Sequence, residues 1–175
     1  MLDRGAFWSP AEEVRVAVPG LQAEVVHGMH LLLLSGRPIL GEGPLAGVAP
    51  PVGFHDIASG PLYAAAVARD RILVVAEQPV AIAEGWDGAA GVAATVMDDA
   101  LTILDLSGAK LDDIIAMGTT IDPLTPTRSS ALLFAGVPSI AYRYGTAARL
   151  RLHVERSLAH HLAEWLRRAA ETIPG

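Results

Sequence analysis

The chain has 175 residues, 51% hydrophobic and 18% charged, with a formal net charge of −6. Such a length fits one domain with a real core, and such a composition excludes a disordered chain. The acidic balance argues against a nucleic-acid partner, and the lack of cysteine excludes disulfides, thiolate zinc sites and a thiol nucleophile.

The N-terminal MLDRGAFWSPAEEV has no apolar signal region, and no apolar run approaches the ~20 residues of a membrane span. A soluble, cytoplasmic protein with no membrane partner is expected. HLLLLSG, His30–Gly36, runs into a Gly/Pro-rich stretch ending near Pro61, a long loop of the kind that serves function or docks a partner. VVAEQPVA at Val74–Ala81, AEGW at Ala83–Trp86 and GAAG at Gly88–Gly91 follow.

The second half has clearer periods. Ala100–Leu106 reads as a strand, Ser107 as a helix cap, and Leu111, Ile114 and Ile115 as the inward face of a helix stopped by Gly118. Ala131–Ala135 turns near Gly136 into a second strand with Ile140, Tyr142 and Tyr144 on one face. In RLRLHVE, Leu150, Leu152 and Val154 alternate with Arg149, Arg151, His153 and Glu155, which predicts a strand with one buried face. Ser157 suits an N-cap, and Leu158, Leu162, Trp165, Leu166 and Ala169 recur at helical spacing before Pro174 and Gly175.

The halves echo one another. His30–Gly36 matches Thr102–Gly108 at an offset of 72, and Val74–Ala81 matches Leu152–Ala159 at an offset of 78. AEGW also resembles AEW at Ala163–Trp165. A duplicated α+β unit follows, within one domain over 1–175, with halves at about 12–90 and 91–173 and GAAG at the seam. The predicted fold class is α+β: two pseudo-symmetric halves of mainly antiparallel sheet with packed helices.

The candidate chemistry is thin. His160 and His161 are adjacent on a helix and point about 100° apart, so they cannot grip one ion. An exposed pair of His160 with Glu164, and packing of His161 near Trp165, are the plainer expectations. His27, His30, His55 and Asp56 are four potential ligands whose spacing fits no standard metal motif. Asp98–Asp99 reads as a turn and Asp112–Asp113 as the wet side of a helix, whereas Asp105 interrupts an apolar strand and suits a buried polar partner. Gly41, Gly43 and Gly47 do not make a dinucleotide fingerprint, since Pro44 and the spacing spoil it.

DDALTILDLSGAKLDDIIAMGTTIDP, AGVPSIAYRYG and LRLHVERSLAHHLAEWL together resemble the gamma subunit of heterotetrameric sarcosine oxidase, over about residues 95–171. The pattern is a strand ending in Ser107-Gly108, a helix ending in Gly118, an Ile121-Asp122-Pro123 turn and a Gly136-Val137-Pro138 hairpin. A strand then runs into Arg156-Ser157 and on to a helix with Trp165-Leu166. Where relatives place an aromatic before the Trp-Leu pair, this chain has His160 and His161. The resemblance implies the fold of the aminomethyltransferase folate-binding domain. It also implies a place in a complex that oxidatively demethylates sarcosine or a related N-methylated amine in one-carbon metabolism. FAD, FMN, NAD and tetrahydrofolate are then expected in partner alpha and beta subunits, and this chain serves assembly. No catalytic residue, cofactor contact or metal ligand carries over. Two other readings remain: a stand-alone folate-binding aminomethyltransferase-like protein, and an unrelated α+β homo-oligomer.

Overall fold

The computed structural model describes residues 14–36, 40, 45–122 and 127–174. Gly41, Gly43, Pro44 and Pro123 lie outside them. In chain order the strands are β1 (Arg15–Val18), β2 (Leu21–Val26), β3 (His30–Gly36), β4 (Ile57–Ala58), β5 (Leu62–Ala68) and β6 (Arg71–Ala76). Then come β7 (Gly85–Asp87), β8 (Val92–Val96), β9 (Leu101–Ser107), helix α1 (Leu111–Gly118), β10 (Ala131–Phe134), β11 (Val137–Tyr144), β12 (Thr146–Glu155) and helix α2 (Ala159–Thr172).

Two mainly antiparallel sheets result. One has the order β1-β2-β9-β12-β11-β10, with the short β4 parallel to β11; the other is β5-β6-β3-β8-β7. The registers show how they correspond. Leu32 pairs with Val74 between β3 and β6, and Leu104 pairs with Leu152 between β9 and β12. Residue by residue these pairs differ by 72 and 78, the two offsets already visible in the sequence. The fold is α+β with two equivalent sheets.

The hairpins are exchanged. β1–β2 precedes β3 in the chain but pairs with β9, while β7–β8 precedes β9 but pairs with β3. GAAG is the turn of β7–β8, so a seam at Gly88–Gly91 would cut a hairpin that the strand order places at the head of the second unit. The likeness of AEGW to AEW has no structural counterpart either: Ala83–Trp86 leads into β7, whereas Ala163–Trp165 is helical.

The Ser-Gly echo has a steric cause. Gly36 (φ +123°) and Gly108 (φ +132°) end the central strands, and a Cβ there would lie 2.4 Å from Gly91 O and 2.2 Å from Gly20 O. In each unit the chain leaves its strand against the turn of the borrowed hairpin, and only glycine fits.

Side chains alternate between two cores. Toward the second sheet, Ile103 and Tyr142 meet Leu31, Tyr63, Ala65, Leu73 and Val75. On the other face of the first sheet, Leu104, Leu106, Leu150, Leu152 and Val154 meet Leu111, Ile114 and Ile115 of α1 and Leu162 and Leu166 of α2. The outer face of the second sheet is covered instead by Leu45, Val48, Val80 and Ile82. Lys110 ties the helices together, its Nζ donating to Ala170 O (2.8 Å) and Ile173 O (2.7 Å) at the end of α2.

Several local expectations are corrected. Ser107 is the last residue of β9 and caps nothing, because the tight turn at Gly108 delays α1 until after Lys110. Ser157 lies in a 3-10 turn, Arg156–Leu158, and donates to Glu155 Oε1 (2.7 Å), so α2 starts two residues later without a side-chain cap. β12 is buried on both faces rather than one, since the second sheet covers Arg151 and His153. His160 and His161 are both exposed, and Glu164 bonds Arg167 and Arg168 in place of His160.

Trp165 is half-buried, edge-on to Phe134 with ring centroids 5.8 Å apart. Trp165→Ala is therefore expected to cost about 2–3 kcal/mol in urea unfolding, below the 3–5 of a fully buried aromatic. His160→Ala should change stability by less than about 0.5 kcal/mol, the range of a surface site. A His160 loss as large as that of Trp165 would overturn this assignment of faces.

Candidate functional site

Among the described residues, a row of ionisable side chains lies between the two sheets. Asp105 of β9 faces inward, opposite Arg151 of β12. Arg151 grips it with both arms, Nε to Oδ1 at 2.7 Å and Nη2 to Oδ2 at 3.0 Å, and Arg149 Nη2 adds a bond at 2.6 Å. Arg151 Nη1 donates to Tyr63 Oη (2.8 Å), Tyr63 and Tyr142 hydroxyls meet at 2.9 Å, and Tyr142 reaches His153 Nε2 at 2.5 Å. The guanidinium also lies 3.5 Å from the centre of the Tyr144 ring.

Arginine can only donate, so Tyr63 accepts from Arg151. The Tyr63–Tyr142 and Tyr142–His153 bonds can each run either way, since a hydroxyl both donates and accepts and the role of the ring follows its tautomer. His153 Nδ1 is a buried atom with no partner among the described residues. Burial, then the charge of Arg151, pushes the His153 pKa down to about 3. Burial likewise raises both tyrosines, Tyr142 the further, with the neighbouring Tyr63 adding to it. For Arg151 burial acts downward, but the bonds to Asp105 outweigh it and hold the guanidinium charged. Near neutral pH the row is one ion pair followed by three neutral groups. Arg151 is 4% exposed, His153 1% and Tyr142 0%, so the row ties the sheets together from within, while Arg149 at its end is half exposed.

A second feature lies at the end of β2. The last β2–β9 pair is Val26 with Ile103, after which the chain turns at Gly28 toward the other sheet. The strands part there and leave an open cleft of about 140 Å³ lined by His27, Gly28, Asp98, Thr102 and Arg156 among others. Asp98 is fixed by Leu31 N (2.6 Å) and His30 Nδ1 (3.0 Å). The Thr102 hydroxyl is buried without a partner among the described residues.

The four potential metal ligands do not come together. His30 pairs with Asp98, His55 Nε2 lies 3.2 Å from Asp122 O, and Asp56 Oδ2 accepts from Gly53 N (2.7 Å). Among the described residues no group of three His, Cys, Asp or Glu is placed to hold an ion. Asp98–Asp99 is a turn, as read, and Asp112 is on the wet side of α1, where Arg143 reaches it at 3.0 Å.

The motif residues serve packing and position. Gly118 and Trp165 both meet Phe134, whose ring lies 2.6 Å from where a Gly118 Cβ would stand. Leu166 is fully buried, Ser107 and Gly108 form the strand exit, Ser157 lies in the 3-10 turn, and Arg156 borders the cleft. The sequence reading missed Tyr63, Arg151, His153 and Thr102 as site residues. Asp105 was the available signal, since a carboxylate in an apolar strand needs a cation.

A scan of protein-family models finds no match, and a search of curated proteins finds none. A solved structure does match: heterotetrameric sarcosine oxidase from Corynebacterium sp. U-96, in complex with pyrrole 2-carboxylate. The TM-score is 0.66 at 21% identity, over 92% of this chain and 89% of the matched one. The chain has the fold of a sarcosine oxidase chain. The likeness takes in nearly all of both chains, well beyond the 95–171 segment that carries the sequence resemblance. Among the described residues no helix is long and apolar enough to cross a membrane.

Proposed function

We propose that this chain is a non-catalytic, gamma-like subunit of a flavin-dependent complex that oxidatively demethylates sarcosine or a related N-methylated amine. In this reading tetrahydrofolate accepts the one-carbon unit, FAD, FMN, NAD and the folate belong to alpha and beta partners, and the complex works in the cytoplasm. The observation that carries it is the shared fold over 92% of this chain and 89% of a chain taken from a heterotetramer. Two features support it: the row of ionisable groups lies between the sheets, and large apolar side chains are exposed, Trp86 at 69% and Leu133 at 61%.

The test is co-expression with the large flavoprotein subunits from the same genome. The chain should co-purify with them, and omitting it should reduce recovery of the assembled, sarcosine-oxidising complex. It should be colourless when purified alone. Elution apart from co-expressed partners, or tetrahydrofolate binding with demethylation by the isolated chain, would replace this reading with the stand-alone alternative.

A further inference from the structure

We propose that the open edge of β10 takes an uncharged, extended segment of a partner subunit as an added strand. The inference rests on the subunit reading and names the surface through which that reading acts. β10 ends the first sheet, and β11 is its one strand neighbour. Ala141 N–H donates to Ser130 O (2.8 Å), which fixes the alternation along the strand. Residues 130, 132 and 134 turn their backbone groups toward β11, and 131 and 133 turn theirs outward. Leu133 thus presents an N–H and a C=O with no partner among the described residues. Ala131 adds a C=O, its own N–H being taken by Ser129 Oγ (3.1 Å). The slot has two ends. Phe54 N–H donates to Ser129 O (3.2 Å) at one, and Ala135 N–H to Gly118 O (2.6 Å) at the other. At ~3.4 Å per residue these stops stand about 20 Å apart, room for an extended segment of about three to five residues.

Sheet edges are ordinarily blunted by charge, brevity or cover, because unpaired backbone groups recruit other chains. The other edges here follow that rule. β5 is covered where Val52 N–H bonds Ala64 O (2.9 Å) and Val52 O accepts from Ala66 N–H (2.8 Å). β7 has three residues and follows directly on Glu84, and β1 carries Arg15. β10 has none of these devices. From Ser129 to Tyr142 the chain has no charged residue, and Leu133 is 61% exposed. Leu132 and Leu133 flank the slot on opposite faces of the sheet, so an occupant needs apolar side chains on both faces. A free donor, free acceptors and an uncharged, apolar rim match main-chain addition of an apolar strand, and a charged one would lose its hydration there without a partner. A second copy's β10 does not fit. Laid antiparallel in a bonding register, it runs into Gly118 beside Ala135 or into Phe54 beside Ser129.

The test joins co-purification with the large flavoprotein subunits to hydrogen exchange of the full chain, free and in the complex. The Leu133 amide should exchange readily in the free chain and at least about tenfold more slowly in the complex. Leu133→Pro deletes that N–H at an edge position, where proline is tolerated, and should leave the thermal midpoint of the free chain nearly unchanged. It should weaken association by about tenfold or more, whereas Leu133→Thr, which keeps the N–H, should retain most of it. Leu133→Lys restores a charge to the edge and should weaken association as Leu133→Pro does, which decides the matter if the proline variant fails to fold. Failure of the wild-type chain to associate would remove the subunit reading and this proposal with it. Association with the Leu133 amide still exchanging freely, or with Leu133→Pro and Leu133→Lys bound as tightly as wild type, would overturn the edge assignment alone. A homodimer of the free chain that Leu133→Lys abolishes in sedimentation would replace the partner segment by a second copy.

Discussion

Arg151→Leu should destabilise the chain by about 3–5 kcal/mol, the usual cost of removing one partner of a buried ion pair. The double variant Asp105→Leu/Arg151→Leu should lose much less. The single change leaves Asp105 largely enclosed, with only the more exposed Arg149 as its cation, and takes a donor from Tyr63. The second change removes the stranded charge. The fold itself supplies the control: at the equivalent register of the other sheet, where β3 pairs with β6, the cross-strand pair is Leu33 with Leu73. The same backbone therefore already holds two leucines where Asp105 and Arg151 stand. Replacing a buried pair by apolar groups of similar volume is often neutral or better, so recovery of at least half of the single-variant loss is expected. Urea unfolding of wild type, both single variants and the double variant forms the cycle. Additive losses would show that the row contributes through something other than the mutual pairing of these two charges.

Local pattern and long-range pairing were unequally legible. The offsets of 72 and 78 carried real register information, because strands that pair alike must keep their residues in step. α1, the β10–β11 hairpin and the apolar stripe of α2 were likewise written in periods and turn residues. The hairpin exchange was not, since β1, β2, β7 and β8 are short and nothing local states which central strand a hairpin will join. The alternation of RLRLHVE misled for a similar reason: a polar face reads as a wet face until a second sheet is known to cover it. Asp105 could be singled out as needing a partner, but the identity of Arg151, 46 positions away in the chain, follows only from the pairing of β9 with β12. Thr102 gave no signal, because threonine is ordinary in a strand.

Lowering the pH from 6.5 to 4.5 should remove about 2–3 kcal/mol of stability through His153 alone. In the unfolded chain a histidine titrates near 6.5, whereas burial and Arg151 bring the folded value down to about 3. Between those values the unfolded state binds a proton that the folded state refuses. Stability therefore falls with falling pH, by about 1.4 kcal/mol per unit in the middle of the window. Above pH 6.5 neither state is protonated and the dependence vanishes. The exposed Glu164, held down to about 2 by Arg167 and Arg168, acts with the same sign but only below its unfolded value of 4.5, so it does not blur the range. Protonation would also strike the row itself. An imidazolium can only donate at Nε2, so Tyr142 would be confined to accepting from His153. His153→Gln separates the two effects, since its amide oxygen can still accept from Tyr142 but does not titrate. That variant should be less stable than wild type at pH 7.5, because a new amide donor is buried, yet show a nearly flat profile between pH 6.5 and 4.5. Urea unfolding at unit intervals of pH reads both quantities. If wild type and His153→Gln lose stability in parallel across that window, the acid sensitivity lies elsewhere and His153 is not held neutral by its site.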